Sequence, residues 1–158
     1  MKRILLLVVS LKLLGSTLLE GRQTGLDYDC SNLAAVNFNS TFAGIETADA
    51  ILIVGSHVRW EAPLVNVRLR KAAKRGAKVF VIGPHWETTF GAEFLGDDIA
   101  VLNDLPAHVG EAFAAAERPA VVVGGGGLAK SALAPALALA GEWRLVRDGW
   151  NGFNVLHM

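Results

Sequence analysis

Three glycine-bearing turns are the places in this sequence where chemistry could sit. Gly55-Ser56-His57 follows the apolar run 50–54, Gly83-Pro84 closes the run 79–82, and Gly124-Gly125-Gly126-Gly127 closes 120–123. A glycine turn after a parallel strand can offer backbone N–H groups to a phosphate and lets the chain approach a ligand closely. Such turns also commonly do nothing more than redirect the backbone. The surrounding side chains favour the plainer role. The G-x-G-x-x-G fingerprint is absent at Gly55, and Gly83-Pro84 stands where a ribose-binding carboxylate would be expected. The run at Gly124 lacks the Gly-Lys-Ser/Thr ending of a P-loop, because Lys130-Ser131 comes too far downstream. Gly55, Ser56, His57, Gly83 and Pro84 therefore read as a cradle of nucleotide-binding shape without its grips. Gly124, Gly125, Gly126 and Gly127 remain weak candidates for a backbone contact.

No other cluster of reactive side chains stands out. His57, His85, His108 and His157 are scattered singly, with no H-x-x-x-H or H-E-x-x-H pair, so no metal site is expected. Cys30 is the sole cysteine, which excludes an internal disulfide, a Cys-rich zinc site and an iron–sulfur cluster. No catalytic residue is expected in this chain. With 15 basic and 15 acidic residues the net charge is zero, which argues against nucleic acid as the main partner. Hydrophobic residues make up 52% and charged ones 19%, so part of the surface is a candidate for burial against a partner.

The elements around the turns form a βαβ pattern. Residues 50–54, AILIV, are a continuous apolar run rich in β-branched side chains, as in a parallel strand buried on both faces. A helix starts near Pro63, with Val65, Leu69, Ala72 and Ala73 on its packing face, Glu61 at its positive end and Gly76 as its C′ residue. Residues 79–82 and 120–123 are further strands, and 143–146 is a fourth. Helices are expected over 106–117, with Val109, Ala112 and Phe113 inward, and over 128–140, bent at Pro135. Thr41 can cap a short helix over 42–48, and 85–105 reads as a long surface connection. Trp60, Trp86 and Trp143 are expected to fill core or cover a sheet edge, whereas Trp150, between Gly149 and Asn154, could form a docking loop. The expected fold is α/β: a three-layer αβα sandwich with a mainly parallel sheet, an incomplete domain over 41–158 behind a helix and loop segment over 1–40.

That leading segment begins Met1-Lys2-Arg3, then ILLLVV, then Gly15-Ser16, an outline shared with secretory leaders. Lys12 interrupts it and no A-x-A site follows, which favours a partly buried helix or strand over an exported protein. The apolar run also falls short of the ~20 residues of a membrane span, so no direct membrane insertion is expected. Charge is segregated along the chain. Residues 59–78 hold Arg59, Arg68, Arg70, Lys71, Lys74, Arg75 and Lys78 against Glu61 alone; residues 79–117 hold seven acids and no Lys or Arg. The simpler expectation is that the blocks neutralise each other across the fold; the sharper one is a cationic face for an acidic partner or a phosphate.

Two blocks carry a family resemblance: LGSTLLEGRQTGL and NFNSTFAGIETADAILIVGSHVRWEAPLVNVRLRKAAKRGAKVFVIGP from Gly15 to Pro84, and VVVGGGGLA with DGWNGFNVLH at the end. They resemble the large iron–sulfur subunit of proton-pumping NADH:quinone oxidoreductase, respiratory complex I, in its molybdopterin-oxidoreductase-like region. The resemblance implies other complex I subunits as partners, a peripheral place on the cytoplasmic or matrix side of the inner membrane, and a part in electron transfer from NADH to quinone. It places the iron–sulfur ligands in a cysteine-rich region that this chain lacks. Relatives that hold a pterin guanine dinucleotide read Gly-Ser-Asn-Pro after the first strand and Asp-Pro-Arg after the next. Here Ser56-His57-Val58 and Gly83-Pro84-His85 stand at those positions, so no cofactor is expected on this chain. The competing reading is a small nucleotide- or thiamine-cofactor-binding enzyme domain, since Pro119 with VVVGGGG resembles the central domain of thiamine-dependent enzymes.

Overall fold

The computed structural model describes Leu13, Gly15, residues 32–124 and residues 129–156. The expectations for residues 1–12, for Ser16, for Cys30, for Gly125 to Gly127 and for His157 fall outside the described residues.

Strand β1 (Ala50–Val54) is the central strand, and all five of its residues are buried. Its neighbours are β2 (Lys78–Ile82) and β4 (Pro119–Gly124), with Ile51 opposite Val79 on one side and Ala120 on the other. Outside them lie β3 (Glu93–Gly96) and β7 (Phe153–Leu156), which completes a five-stranded parallel sheet in the order β3-β2-β1-β4-β7. A short antiparallel pair, β5 (Val146–Arg147) and β6 (Trp150–Asn151), leads into β7.

Alternation along the strands divides the core in two. Leu52, Val54, Phe80, Val121, Val123 and Phe153 face helices α4 (Ala107–Ala115) and α5 (Ala129–Glu142), meeting Val109, Phe113 and Leu139. Ile51, Ile53, Val79, Val81 and Val122 face α3 (Pro63–Lys74) through Val65, Leu69 and Ala72. Each buried Val, Leu or Ile side chain contributes about 1.5–3 kcal/mol of hydrophobic stabilisation. The three-layer α/β sandwich expected from the sequence is present. Gly76 follows α3 at φ +100°, as a C′ glycine should. Thr41 Oγ1 accepts from the Gly44 N–H at 3.0 Å at the start of α1 (Thr41–Gly44), although this helix gives way to a 3-10 turn at Ile45–Thr47.

Two stretches differ from the sequence expectation. Residues 85–105 are not one long connection: they hold β3 and a 3-10 turn, Ile99–Asn103, capped by Asp98 accepting from the Ala100 N–H at 2.9 Å. This edge strand is short, half-buried and flanked by glycines, so its apolar signal is weak. Nor is 143–146 the fourth strand. Helix α5 runs through Pro135 to Glu142, and Trp143 stacks on Phe113 with ring centroids 3.9 Å apart. The strand that joins the sheet is β7, whose apolar run is broken by Asn154.

Asn154 explains why two distant polar segments belong together. Its side chain is fully buried; Oδ1 accepts from the Ser40 N–H at 2.8 Å. Its Nδ2 donates to Ser40 Oγ and Gly152 O, both at 3.0 Å, and to Val121 O at 3.3 Å. Asn39 Nδ2 donates to Phe153 O at 2.6 Å, and the Val155 N–H to Asn37 O at 3.1 Å. Residues 37–40 thus cover the outer edge of β7, a sheet edge that would otherwise offer unpaired backbone groups. Trp150, expected in a docking loop, is turned inward instead: Nε1 donates to Pro119 O at 2.9 Å and the ring packs on the α3-side core.

Replacing Asn154 by Ala leaves several buried groups without partners, each worth about 1–3 kcal/mol. We expect Asn154→Ala to lower the unfolding free energy by about 3 kcal/mol in urea titrations. A loss below about 1 kcal/mol would mean that water replaces the amide and that this network does not hold β7 in place.

Candidate functional site

In a sheet of this order the strands run outward in opposite senses from β1 and β4, and the crevice beyond their carboxyl ends is the usual ligand site. Gly55 and Ser56 leave β1 there, and Gly124 ends β4 beside them. The structure therefore brings together the Gly55 and Gly124 turns that the sequence singled out separately. They meet too closely to accept anything between them. A Cβ on Gly124 would lie 2.6 Å from Gly55 O and from Ser56 Cβ, closer than nonbonded atoms approach. The glycine is there to let two backbones touch.

Above that contact, several of the described polar groups are already paired. The Ser56 hydroxyl, buried, donates to Glu61 Oε2 at 2.6 Å. Glu61 ends the single turn α2 (Val58–Glu61), so its carboxylate sits beside the turn after β1. Pro63 opens α3 without an N–H to offer. The Gly55 N–H donates to Ile82 O at 2.8 Å. His57 lies with its ring 4.7 Å from Trp86 and 5.3 Å from Trp60, and its Nδ1 is buried without a hydrogen-bond partner. Trp86 in turn meets Phe90 and Phe94 edge-on, at 6.4 and 6.2 Å. An aromatic cluster thus fills the mouth beside β2.

Gly83 and Pro84 lie farther along the same edge. They line an open depression of about 590 Å³ with His85, Phe94, Leu95, Gly96 and Asp97. No Lys or Arg is in that lining, and Asp97 would repel a phosphate. Among the described residues no three His, Cys, Asp or Glu side chains gather as a metal site. Among the described residues, the lining at Gly83 and Pro84 carries Asp97 and no cation, a donor set poorly matched to the pyrophosphate of a pterin dinucleotide.

The charged residues are arranged differently from the expected pairing of two blocks. Only Arg59 and Glu87, 3.4 Å apart and both well exposed, join one block to the other among the described residues. The cations of α3 converge instead on Glu46, in the 3-10 turn before β1. Arg68 and Lys71 reach its Oε2 and Arg75 its Oε1, while the carboxylate is only 13% exposed. The hydrogen bond from Arg68, with the charge of Lys71 beside it, holds Glu46 below the usual carboxylate range against the opposing effect of desolvation. Sequence reasoning missed this hub because Glu46 stands outside both charge runs. The aromatic cluster was missed too, since its members come from separate segments of the chain.

The strand order, the helices on both faces and the glycine turns at the switch point define a doubly wound α/β domain of the dinucleotide-binding architecture. Within that class the chain belongs to the molybdopterin oxidoreductase family, whose family model matches residues 1–158. Its relatives include the NADH-quinone oxidoreductase G subunit of Rickettsia typhi, 33% identical over 160 aligned positions that cover 96% of this chain and 24% of the relative. The corresponding subunit of Rickettsia prowazekii matches to the same extent. The mitochondrial NADH-ubiquinone oxidoreductase 78 kDa subunit of Candida albicans is 38% identical over 128 positions, 76% of this chain and 18% of the relative. The chain thus spans about a quarter of the length of these bacterial relatives. The resemblance read from the two sequence blocks is borne out.

Two outcomes test this geometry. Gly124→Ala should destabilise by about 1–3 kcal/mol in thermal unfolding, as overpacking does. Gly110→Ala, on α4 with open space around it, should instead stabilise by up to about 1 kcal/mol. Equal effects would show that the Gly55–Gly124 contact is not tight. For Glu46, the folded value lies below the unfolded one, so its contribution is complete above the ordinary carboxylate range and is lost as pH falls through the lowered value. The difference in urea midpoint between the wild type and Glu46→Gln should therefore shrink on going from neutral to strongly acidic pH. A difference that stays constant would rule out the charge hub.

Proposed function

We propose that this chain is a structural part of an NADH-quinone oxidoreductase, supporting electron transfer from NADH to quinone while holding no redox centre of its own. The supporting observation is the combination of a dinucleotide-binding architecture with a crevice closed by its own groups: Gly124 against Gly55-Ser56, and Ser56 bound to Glu61. The family supplies the assembly, since the relatives are named as subunits of that oxidoreductase. On this reading the domain keeps the shape of a cofactor cradle as a building block, and its partners are other subunits of the complex. It sits peripherally, on the cytoplasmic or matrix side. Among the described residues no helix is long and apolar enough to cross a membrane, which agrees with that placement.

The test is direct. Purified chain should show no stoichiometric iron, flavin or pterin by absorbance and metal analysis. Titration calorimetry with NADH, FAD and guanine nucleotides should give no heat of binding in the micromolar range. Micromolar binding of any of these would favour the enzyme-domain reading and overturn this one.

A further inference from the structure

Large apolar side chains are exposed on the outer side of the α2–α3 segment. Trp60 is 79% exposed, Leu64 72% and Val67 51%. Leu64 and Val67 share a helix face at i, i+3 spacing, opposite the Val65–Leu69–Ala72 side that packs on the sheet. Farther along that outer face come Arg70 and Lys74, both exposed. Neither forms an ion pair among the described residues, whereas Arg68, Lys71 and Arg75 are drawn to Glu46. The helix therefore divides its cations: three are held on the single carboxylate of Glu46, and two are left without an ion pair at the end of an apolar stripe.

We propose that this face docks an acidic-rimmed apolar surface of another protein chain, with Trp60, Leu64 and Val67 as anchors and Arg70 and Lys74 meeting its carboxylates. The inference rests on the structural-part reading above and adds the surface by which the chain joins its assembly. Its composition suits a protein partner. Trp and Arg are enriched where binding energy concentrates, and Lys is tolerated at a polar rim. The two cations without an ion pair are complementary to carboxylates on such a rim. An anionic membrane is a poorer match: polybasic membrane segments use about 4–8 clustered cations, and three of the five here are tethered to Glu46, which leaves two free to reach outward.

The experiment introduces a photo-crosslinking residue into the full chain as Leu64→p-benzoylphenylalanine, and separately as Glu111→p-benzoylphenylalanine on the opposite layer. Each protein is mixed with the isolated subunits of an NADH-quinone oxidoreductase, with phospholipid vesicles present, and the products are mapped by mass spectrometry. The expected result is a Leu64 crosslink to an acidic stretch of another subunit. Its yield should fall about tenfold with Trp60→Ser, as for loss of a hot-spot anchor. It should also fall with the pair Arg70→Glu and Lys74→Glu, and at about 1 M salt. All these positions are exposed, so the variants should keep the wild-type unfolding temperature. A crosslink unaffected by the charge reversals and salt overturns the proposal. So does a Leu64 crosslink to lipid, to a second copy, or to residues 1–31 of the same chain. If Glu111 crosslinks a subunit and Leu64 does not, the docking face is wrong while the structural-part reading survives. If neither position crosslinks any subunit, both readings fall together.

Discussion

A parallel sheet has no face it can leave in water, and that constraint organises this protein. Parallel strands need crossover segments, and the crossovers lie on the faces as helices. β1 is where the requirement is strictest: it has a strand on each side and a helix layer above and below, so every side chain from Ala50 to Val54 is buried. The division into two cores follows from the alternation of those side chains. Helix α3 on one face and α4 with α5 on the other follow from the need to cover both.

The same architecture creates a crevice at the point where the strand order reverses, and there the turn after β1 meets the end of β4. Glycine at position 124 lets the end of β4 rest on the turn after β1, and the Ser56–Glu61 hydrogen bond uses the hydroxyl nearest the opening. Each device costs little in stability. Backbone contact excludes water from a strand end, and a carboxylate beside a helix start is electrostatically favourable.

The sequence made some parts of this legible and hid others for identifiable reasons. β1, β2, β4 and the inward faces of α3 and α4 were plain because their apolar residues are contiguous or regularly spaced. β3 was hidden because an edge strand buries only part of its surface and needs no strong apolar signal. β7 was hidden because Asn154 interrupts it, and nothing local shows that Ser40, Val121 and Gly152 will satisfy that amide. Trp150 looked free for docking for the same reason: its partner, Pro119 O, is distant in the chain. Trp60, grouped with the core tryptophans, is the one that faces outward.

What the sequence determined alone was local: which segments are strands or helices, the turns between them, and the lack of phosphate-gripping or metal-binding motifs among them. Those properties depend on side-chain type and on spacing within a few residues. Only the tertiary structure decided that Gly55 and Gly124 touch, that residues 37–40 cover the edge of β7, and that three cations gather on Glu46 while Arg70 and Lys74 do not. These are pairings between residues far apart in the chain, fixed by how the layers close on one another.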